Sequence, residues 1–121
     1  KYVKGVYAET TQNPDLLMEL TTEPEPHLFS VECKWRKEFK NDFVKFASEG
    51  QLKRYKKYEK EKGIPVFIAL GVGGTPSKPE QLFMMPLRFI KTINLHRDQL
   101  QRNEKDVDAE FYYDYKTRLF K

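Results

Sequence analysis

The chain has 121 residues, of which 39% are hydrophobic and 14% aromatic, enough for one domain with a single core. Lysine and arginine total 22 against 18 acidic residues, and the resulting net charge of +4 is compatible with a polyanionic partner. The single cysteine excludes an internal disulfide, and no apolar run reaches the roughly 18 residues of a membrane span. We therefore expect a cytoplasmic protein that has no membrane partner. Because the first residue is Lys rather than Met, we expect the domain of residues 1–121 to be a fragment of a longer chain.

The first part of the sequence predicts three strands. They are expected around residues 3–8, over residues 15–20 after the Asn13-Pro14 turn, and over residues 28–35. The prolines between the second and third segments indicate a hairpin connection. A period of two in the third strand directs one set of side chains to a core, namely Phe29, Val31, Cys33 and Trp35. The alternate set points to the opposite face, namely Leu28, Ser30, Glu32 and Lys34.

The middle of the sequence predicts helical structure. Aromatic residues recur every three or four positions over residues 38–47, which favours a short helix or helical turn. A longer helix is expected to start at Ser48, because Ser48 and Gln51 fit a capping box, and to stop at Gly63.

The remaining residues complete an α/β pattern. Residues 64–72 form a near-continuous apolar run, as expected for a central strand that is covered on both faces. A further strand is predicted over residues 81–87, and a closing helix within residues 88–121. The element order favours a single α/β domain in which helices flank a mixed central sheet.

Two carboxylates and one lysine are the candidates for chemistry. If the second and third strands pair through the proline-rich connection, Asp15 lies beside Glu32 and Lys34. Such hard oxygen ligands, with the Cys33 main-chain carbonyl as a further donor, suit Mg²⁺ or Mn²⁺. The cation would polarise a phosphoryl oxygen and activate water, while Lys34 would stabilise developing charge or orient the water. The alternatives are an ion pair between Glu32 and Lys34 on an exposed or edge strand, and a turn role for Asp15.

The pair Pro14-Asp15, followed by Glu32-Cys33-Lys34, resembles the signature of the PD-(D/E)XK nuclease superfamily. Gln51, followed by a tyrosine one helical turn later, is similar to an additional motif of many of these families. The resemblance implies a restriction-endonuclease-like fold and Mg²⁺-dependent hydrolysis of DNA. It makes Asp15 and Glu32 metal ligands, Lys34 the catalytic lysine and Gln51 an auxiliary active-site residue.

The sequence departs from the superfamily pattern at its start. Members usually carry a helix before the first motif strand, and the residues that precede Pro14 do not read as one. We therefore expect the N-terminal helix to be absent. A homodimer, or a partner chain that supplies the missing helix by swapping, would fill the gap.

Basic residues near the motif are the candidates for DNA contacts. Arg36 and Lys37 follow the motif directly, and we expect both to contact DNA. Within the basic helix, Lys53 and Lys57 are expected to contact phosphates, and the lysines near its C-terminus to face solvent. The competing interpretation of the whole helix is a solvated surface.

Other site types receive no support from the sequence. His27 and His96 are isolated from any Cys or His cluster, which argues against zinc, and no G-x-S-x-G motif indicates a serine hydrolase. Cys33 is expected to be a buried small hydrophobe rather than a nucleophile. Two functional alternatives stay open: a non-catalytic DNA-binding or assembly module on the same scaffold, and a plain interaction domain.

Overall fold

The computed structural model describes residues 2–7, 14–20 and 26–121. The strands within these ranges are β1 Tyr2–Tyr7, β2 Leu16–Leu20, β3 His27–Arg36, β4 Phe43–Lys45, β5 Val66–Val72, β6 Gln81–Pro86, β7 Asn94–His96, β8 Glu104–Lys105, β9 Tyr113–Asp114 and β10 Leu119–Phe120. The helices are α1 Glu49–Lys62 and α2 Arg97–Gln101, with a 3₁₀ turn at Leu87–Phe89. None of the helices in the described ranges is long and apolar enough to cross a bilayer.

A six-stranded mixed sheet forms the centre of the fold. Its strand order is β1-β2-β3-β5-β6-β8, and the β3–β5 pair is parallel while the other neighbours are antiparallel. The prediction of a mixed sheet flanked by helices is confirmed. β3 lies inside the sheet between β2 and β5, which rules out the interpretation of Glu32 and Lys34 as residues of an edge strand.

Helix α1 has the ends that its sequence predicts. The Ser48 hydroxyl accepts a hydrogen bond from the Gln51 main-chain N–H, and the Gln51 side chain accepts one from the Ser48 N–H. These two bonds satisfy N–H groups that have no partner inside the helix. At the other end, Gly63 adopts a left-handed φ of 68°, a conformation that costs glycine little because it lacks a Cβ.

The two faces of the sheet carry different cores. The face under α1, here called the helix face, holds a large, mainly aliphatic cluster that includes Leu52, Val66, Ile68, Leu70 and Phe83. The opposite face, here called the aromatic face, is covered by the C-terminal segment and is built around Phe29, Phe67, Tyr113 and Phe120. Within β3, Phe29 and Val31 enter the core of the aromatic face, whereas Ser30 and Glu32 are polar residues buried on the helix face.

The predicted helix over residues 38–47 is wrong. The segment is a tight turn that leads into β4, with Lys40 and Phe43 hydrogen-bonded across Asn41 and Asp42. Asn41 and Asp42 have positive φ values of 52° and 67°, a conformation that these two residue types tolerate better than most. The aromatic residues have the spacing that is typical of a helix, but the segment is extended at β4. This strand buries Val44 and pairs with β7.

Two further expectations fail. The closing helix predicted within residues 88–121 is wrong, because α2 is a short helix and the chain after it forms short strands that cover the aromatic face. Cys33 is exposed rather than buried, since the aromatic cover reaches Phe29 and Val31 but ends before it. The hairpin predicted at residues 21–27 falls largely outside the described residues, although β2 and β3 do pair antiparallel.

The expected absence of an N-terminal helix can be compared with residues 2–7 only, since these are the described residues before Pro14. β1, at Tyr2–Tyr7, is an extended strand paired with β2, close to the strand predicted at residues 3–8. Within residues 2–7, therefore, the chain is strand and not helix.

Candidate active site

The pairing of β2 with β3 brings Asp15 next to Glu32. Leu16 lies opposite Val31 in the antiparallel register, so the residue before Leu16 meets the residue after Val31. The Asp15 N–H donates to Glu32 Oε1 at 3.0 Å, and Asp15 Oδ2 accepts from the Cys33 N–H at 2.9 Å. The two hydrogen bonds fix the aspartate and the glutamate at adjoining positions.

Lys34 joins the two carboxylates from the same strand. Its Nζ lies 3.3 Å from Glu32 Oε2, and the two side chains are only 12% and 9% exposed. The same ammonium lies 5.7 Å from the centre of the Tyr55 ring, which α1 supplies from above. A surface ion pair is therefore excluded, because both charged groups lie largely out of water beneath the helix.

The surroundings of Glu32 disfavour its charged form. Burial and the neighbouring Asp15 charge raise the pKa of Glu32, while Lys34 and a hydrogen bond with Tyr55 oppose that rise. The pKa of Tyr55 is raised as well, by burial and then by the charge of Glu32. Tyr55 thus stays protonated and can donate to the glutamate. The negative charges of the two carboxylates are only partly offset by the Lys34 ammonium.

The donor set fits a hard divalent cation. Asp15 Oδ1 accepts no hydrogen bond from the described residues, so one carboxylate oxygen is available beside a glutamate that an added positive charge would stabilise. No group of three or more His, Cys, Asp or Glu side chains suited to a metal exists among the described residues. Two carboxylates are nevertheless what Mg²⁺ commonly takes from protein, because waters and substrate phosphate complete its coordination. The Cys33 carbonyl stays a predicted ligand.

Gln51 lies at the start of α1, where its side-chain oxygen serves the capping box. The same residue lines a cleft of about 730 Å³ beyond the end of β3. Its auxiliary catalytic role stays a prediction, and the structural role accounts for one side-chain atom only.

Arg36 and Lys37 differ in their freedom to contact a ligand. Three guanidinium nitrogens of Arg36 donate to main-chain carbonyls, those of Trp35, Lys45 and Phe46, at 2.7–2.8 Å. Arg36 therefore joins the end of β3 to β4. Lys37 is exposed on the wall of the cleft and forms no ion pair with the described residues.

Lys53 and Lys57 are not brought to the carboxylates. Each lies two positions from Tyr55, and two positions on an α-helix correspond to a rotation of about 200°. Both lysines are exposed on the outer side of α1, away from the buried tyrosine. Their contact with phosphate stays a prediction and would concern a separate surface.

Sequence reasoning missed the remaining wall of the cleft. Lys40, Phe43, Lys45 and Asn94 line it together with Lys37. The available signal was the Asn41-Asp42 dipeptide, which is typical of a tight turn between extended segments.

Comparisons with known proteins define the class of fold. No family model matches the chain, and no curated protein matches it. Among solved structures, the chain is similar to that of Archaeoglobus fulgidus Hjc, a Holliday junction resolvase from an archaeal hyperthermophile. The TM-score is 0.56 at 13% sequence identity, and the match covers 81% of this chain and 73% of the resolvase.

At this level of identity the likeness concerns the fold, and the expected resemblance is confirmed to that extent. The chain has the restriction-endonuclease-like α/β fold that its sequence predicted.

Proposed function

We propose that the protein is a Mg²⁺-dependent nuclease that hydrolyses phosphodiester bonds in DNA. The observation that carries this proposal is the contact network of Asp15, Glu32 and Lys34 on neighbouring strands. The fold shared with a Holliday junction resolvase supports it, because that protein acts on a DNA junction. A buried cluster of like charges is costly to maintain, and such clusters occur preferentially at functional sites.

Each residue of the network has a distinct role in the proposal. Asp15 and Glu32 hold the cation, with the Cys33 carbonyl as a further oxygen donor. A divalent cation supplies Lewis acidity toward the phosphodiester and lowers the pKa of water. The Asp15 N–H and the Tyr55 hydroxyl orient the Glu32 carboxylate by hydrogen bonding.

Lys34 acts on the reacting phosphate in this mechanism. The water oxygen loses a proton to solvent and forms a bond to phosphorus, the bond from phosphorus to the leaving oxygen breaks, and the leaving oxygen takes a proton from solvent. Negative charge grows on the phosphoryl oxygens during this step, and the Lys34 ammonium stabilises it or orients the water. Mn²⁺ is expected to replace Mg²⁺, since both prefer oxygen ligands.

The test is cleavage of fluorescent single-stranded, duplex and branched DNA by the purified chain. We expect cleavage with Mg²⁺, none with EDTA, and a loss of about 10²–10³-fold for Lys34→Met, since one charge-stabilising donor contributes about that much. DNA binding by Lys34→Met should survive. Failure of the wild-type chain to cut any of these substrates with Mg²⁺ or Mn²⁺ would contradict the proposal.

The second candidate is a non-catalytic DNA-binding or assembly module. The cleft beside the site favours it, because among the described residues four basic side chains and one carboxylate, Glu38, line its wall. Binding without cleavage, unchanged by Glu32→Gln, would support this module. Dimerisation, a swapped helix and a cytoplasmic location stay predictions.

A further inference from the structure

The cleft beyond β3 combines free cations with an exposed aromatic ring. Lys37, Lys40 and Lys45 are exposed on its wall, and none of them forms an ion pair or a side-chain hydrogen bond with the described residues. Among the described residues, Glu38 is the one acidic residue that lines the cleft. A concave surface with unpaired positive charge attracts polyanions.

Phe43 is the unusual residue of this cleft. Its side chain is 40% exposed, whereas its neighbour Val44 is 4% exposed and lies in the core. Alternation along β4 puts Phe43 and Lys45 on the same solvent side, opposite His96 and Asn94 of β7. Burial therefore does not explain a phenylalanine at this position.

The Phe43 ring is held in place although it is exposed. The His96 ring contacts it edge to face, with the centroids 4.8 Å apart, which covers at most one face of the phenyl ring. Two main-chain hydrogen bonds with Lys40 close the preceding turn. Arg97 fixes the same turn, because its N–H donates to the Asp42 carbonyl and its guanidinium to the Asp42 carboxylate.

The cleft lies near the candidate active site along the chain of both β3 and α1. Arg36 lines the cleft and follows Lys34 on the same side of β3, about 6.6 Å further along the strand. Gln51 also lines it, one helical turn before Tyr55.

We propose that this cleft binds an unpaired stretch of nucleic acid next to the phosphodiester that is cut. Phe43 stacks on a base, and Lys37, Lys40 and Lys45 contact the flanking phosphates. Cations that follow the backbone, combined with an aromatic platform, are the features that bind single strands without sequence preference. A duplex offers no free base face to this ring. The inference rests on the proposed nuclease function and defines its substrate class as nucleic acid with a single-stranded segment.

The first test measures binding in EDTA by fluorescence anisotropy, where no cleavage is expected. The labelled probes are a DNA strand of 20 dT nucleotides, an RNA strand of 20 U nucleotides and a hairpin duplex. We expect Phe43→Ala to weaken single-strand binding about ten-fold or more, because base stacking on an aromatic side chain contributes that much. Duplex binding should change by less than about two-fold. Equal binding of dT and U fits the shared chemistry, and a preference for one identifies the natural strand.

The matched control is Phe89→Ala, because Phe89 is 49% exposed and does not line the cleft. Thermal unfolding should show that both variants keep the wild-type midpoint. An equal loss for both variants, an equal loss of duplex binding, or no loss for Phe43→Ala would overturn the inference.

A second test uses the salt dependence of binding to the dT strand. Replacing Lys37, Lys40 and Lys45 by Gln should reduce the slope of log K against log salt by about 2, since each single-strand phosphate contact contributes about 0.7. Lys60→Gln at the far end of α1 should leave the slope unchanged. An unchanged slope in the triple variant would contradict the assignment of these phosphate contacts.

The two proposals fail in different ways. If Phe43→Ala loses single-strand binding but the wild-type chain never cleaves with Mg²⁺, the nuclease function fails and the cleft stands as a binding site. If the wild-type chain cleaves and Phe43→Ala binds and cleaves normally, the cleft assignment fails and the nuclease function stands.

Discussion

The two faces of β3 are built from the same strand and have opposite physical characters. On the aromatic face, Phe29 packs against the rings of Tyr113 and Phe120, which the C-terminal segment supplies. On the helix face, Glu32 and Lys34 lie beneath α1 with their charges largely removed from water. One face therefore gains stability from apolar burial, while the other carries charges whose burial is costly.

The contrast indicates that one face of the sheet stabilises the fold and the other carries the charged site. Burial of the carboxylate raises the pKa of Glu32, and the adjacent Asp15 raises it further, so folding alone does not favour this arrangement. The aromatic face and the aliphatic cluster under α1 compensate for that cost. Substitutions on the aromatic face should hence act on stability, and those at the charged site on metal binding and cleavage.

The largest expected effect is on the aromatic face. Phe67 is fully buried and contacts the rings of Phe29, Tyr113 and Phe120. Phe67→Ala should lower the free energy of unfolding by about 3–5 kcal/mol, the usual cost of deleting a buried aromatic ring. Urea titration followed by circular dichroism measures it, with Phe89→Ala as the exposed control. A loss below about 1 kcal/mol would contradict the role of this face in stability.

Metal binding should stabilise the charged site. At a Mg²⁺ concentration about 100 times its dissociation constant, the gain in unfolding free energy should be about 2.7 kcal/mol. Asp15→Asn should abolish most of this gain, because it removes one of the two charged ligands. Thermal unfolding with Mg²⁺ and with EDTA compares the two proteins. An equal Mg²⁺-induced shift in both would mean that the cation binds elsewhere.

A smaller effect is expected from the residue that orients Glu32. Tyr55→Phe removes the hydroxyl that hydrogen-bonds the carboxylate and should reduce cleavage or apparent Mg²⁺ affinity about 10–100-fold, as outer partners of metal ligands usually do. Tyr58→Phe is the matched control, because Tyr58 lies on the same helix as Tyr55. Its hydroxyl forms a hydrogen bond with Ser30 Oγ at 3.0 Å instead. Similar losses for both variants would indicate a general packing effect rather than orientation of the glutamate.

The smallest effect separates the two roles of Gln51. Gln51→Glu keeps the capping box but removes the amide donor, whereas Gln51→Ala removes both. Stability should fall by about 1 kcal/mol in the alanine variant alone. If Gln51 also assists cleavage, the two variants should lose activity together. Full activity of Gln51→Glu would leave the residue with its capping role only.

The parts of the fold that depend on local pattern could be predicted from the sequence. The period of two in β3, the capping box at Ser48 and the glycine stop at Gly63 each follow from neighbouring residues. The approach of Asp15 to Glu32 needed one further assumption, that the two strands pair as a hairpin, and the register of β2 with β3 shows this pairing.

The failures arose where distant contacts decide the structure. Phe120 contacts Phe29 and Phe67, which are far away in sequence, so no local period could assign the C-terminal residues to the aromatic face. The exposure of Cys33 depends on where that cover ends, and the cleft depends on the pairing of β4 with β7. Helical spacing of aromatic residues therefore misled the interpretation of residues 38–47.

The most direct test of the account is the dependence of DNA cleavage on Mg²⁺ concentration in the wild-type chain and in Glu32→Gln. We predict that wild-type cleavage is absent in EDTA, rises with Mg²⁺ to a plateau, and is lost in Glu32→Gln at Mg²⁺ concentrations that saturate the wild type. Cleavage that persists in EDTA, or the same Mg²⁺ curve for both proteins, would contradict the assignment of Asp15, Glu32 and Lys34 as the catalytic site.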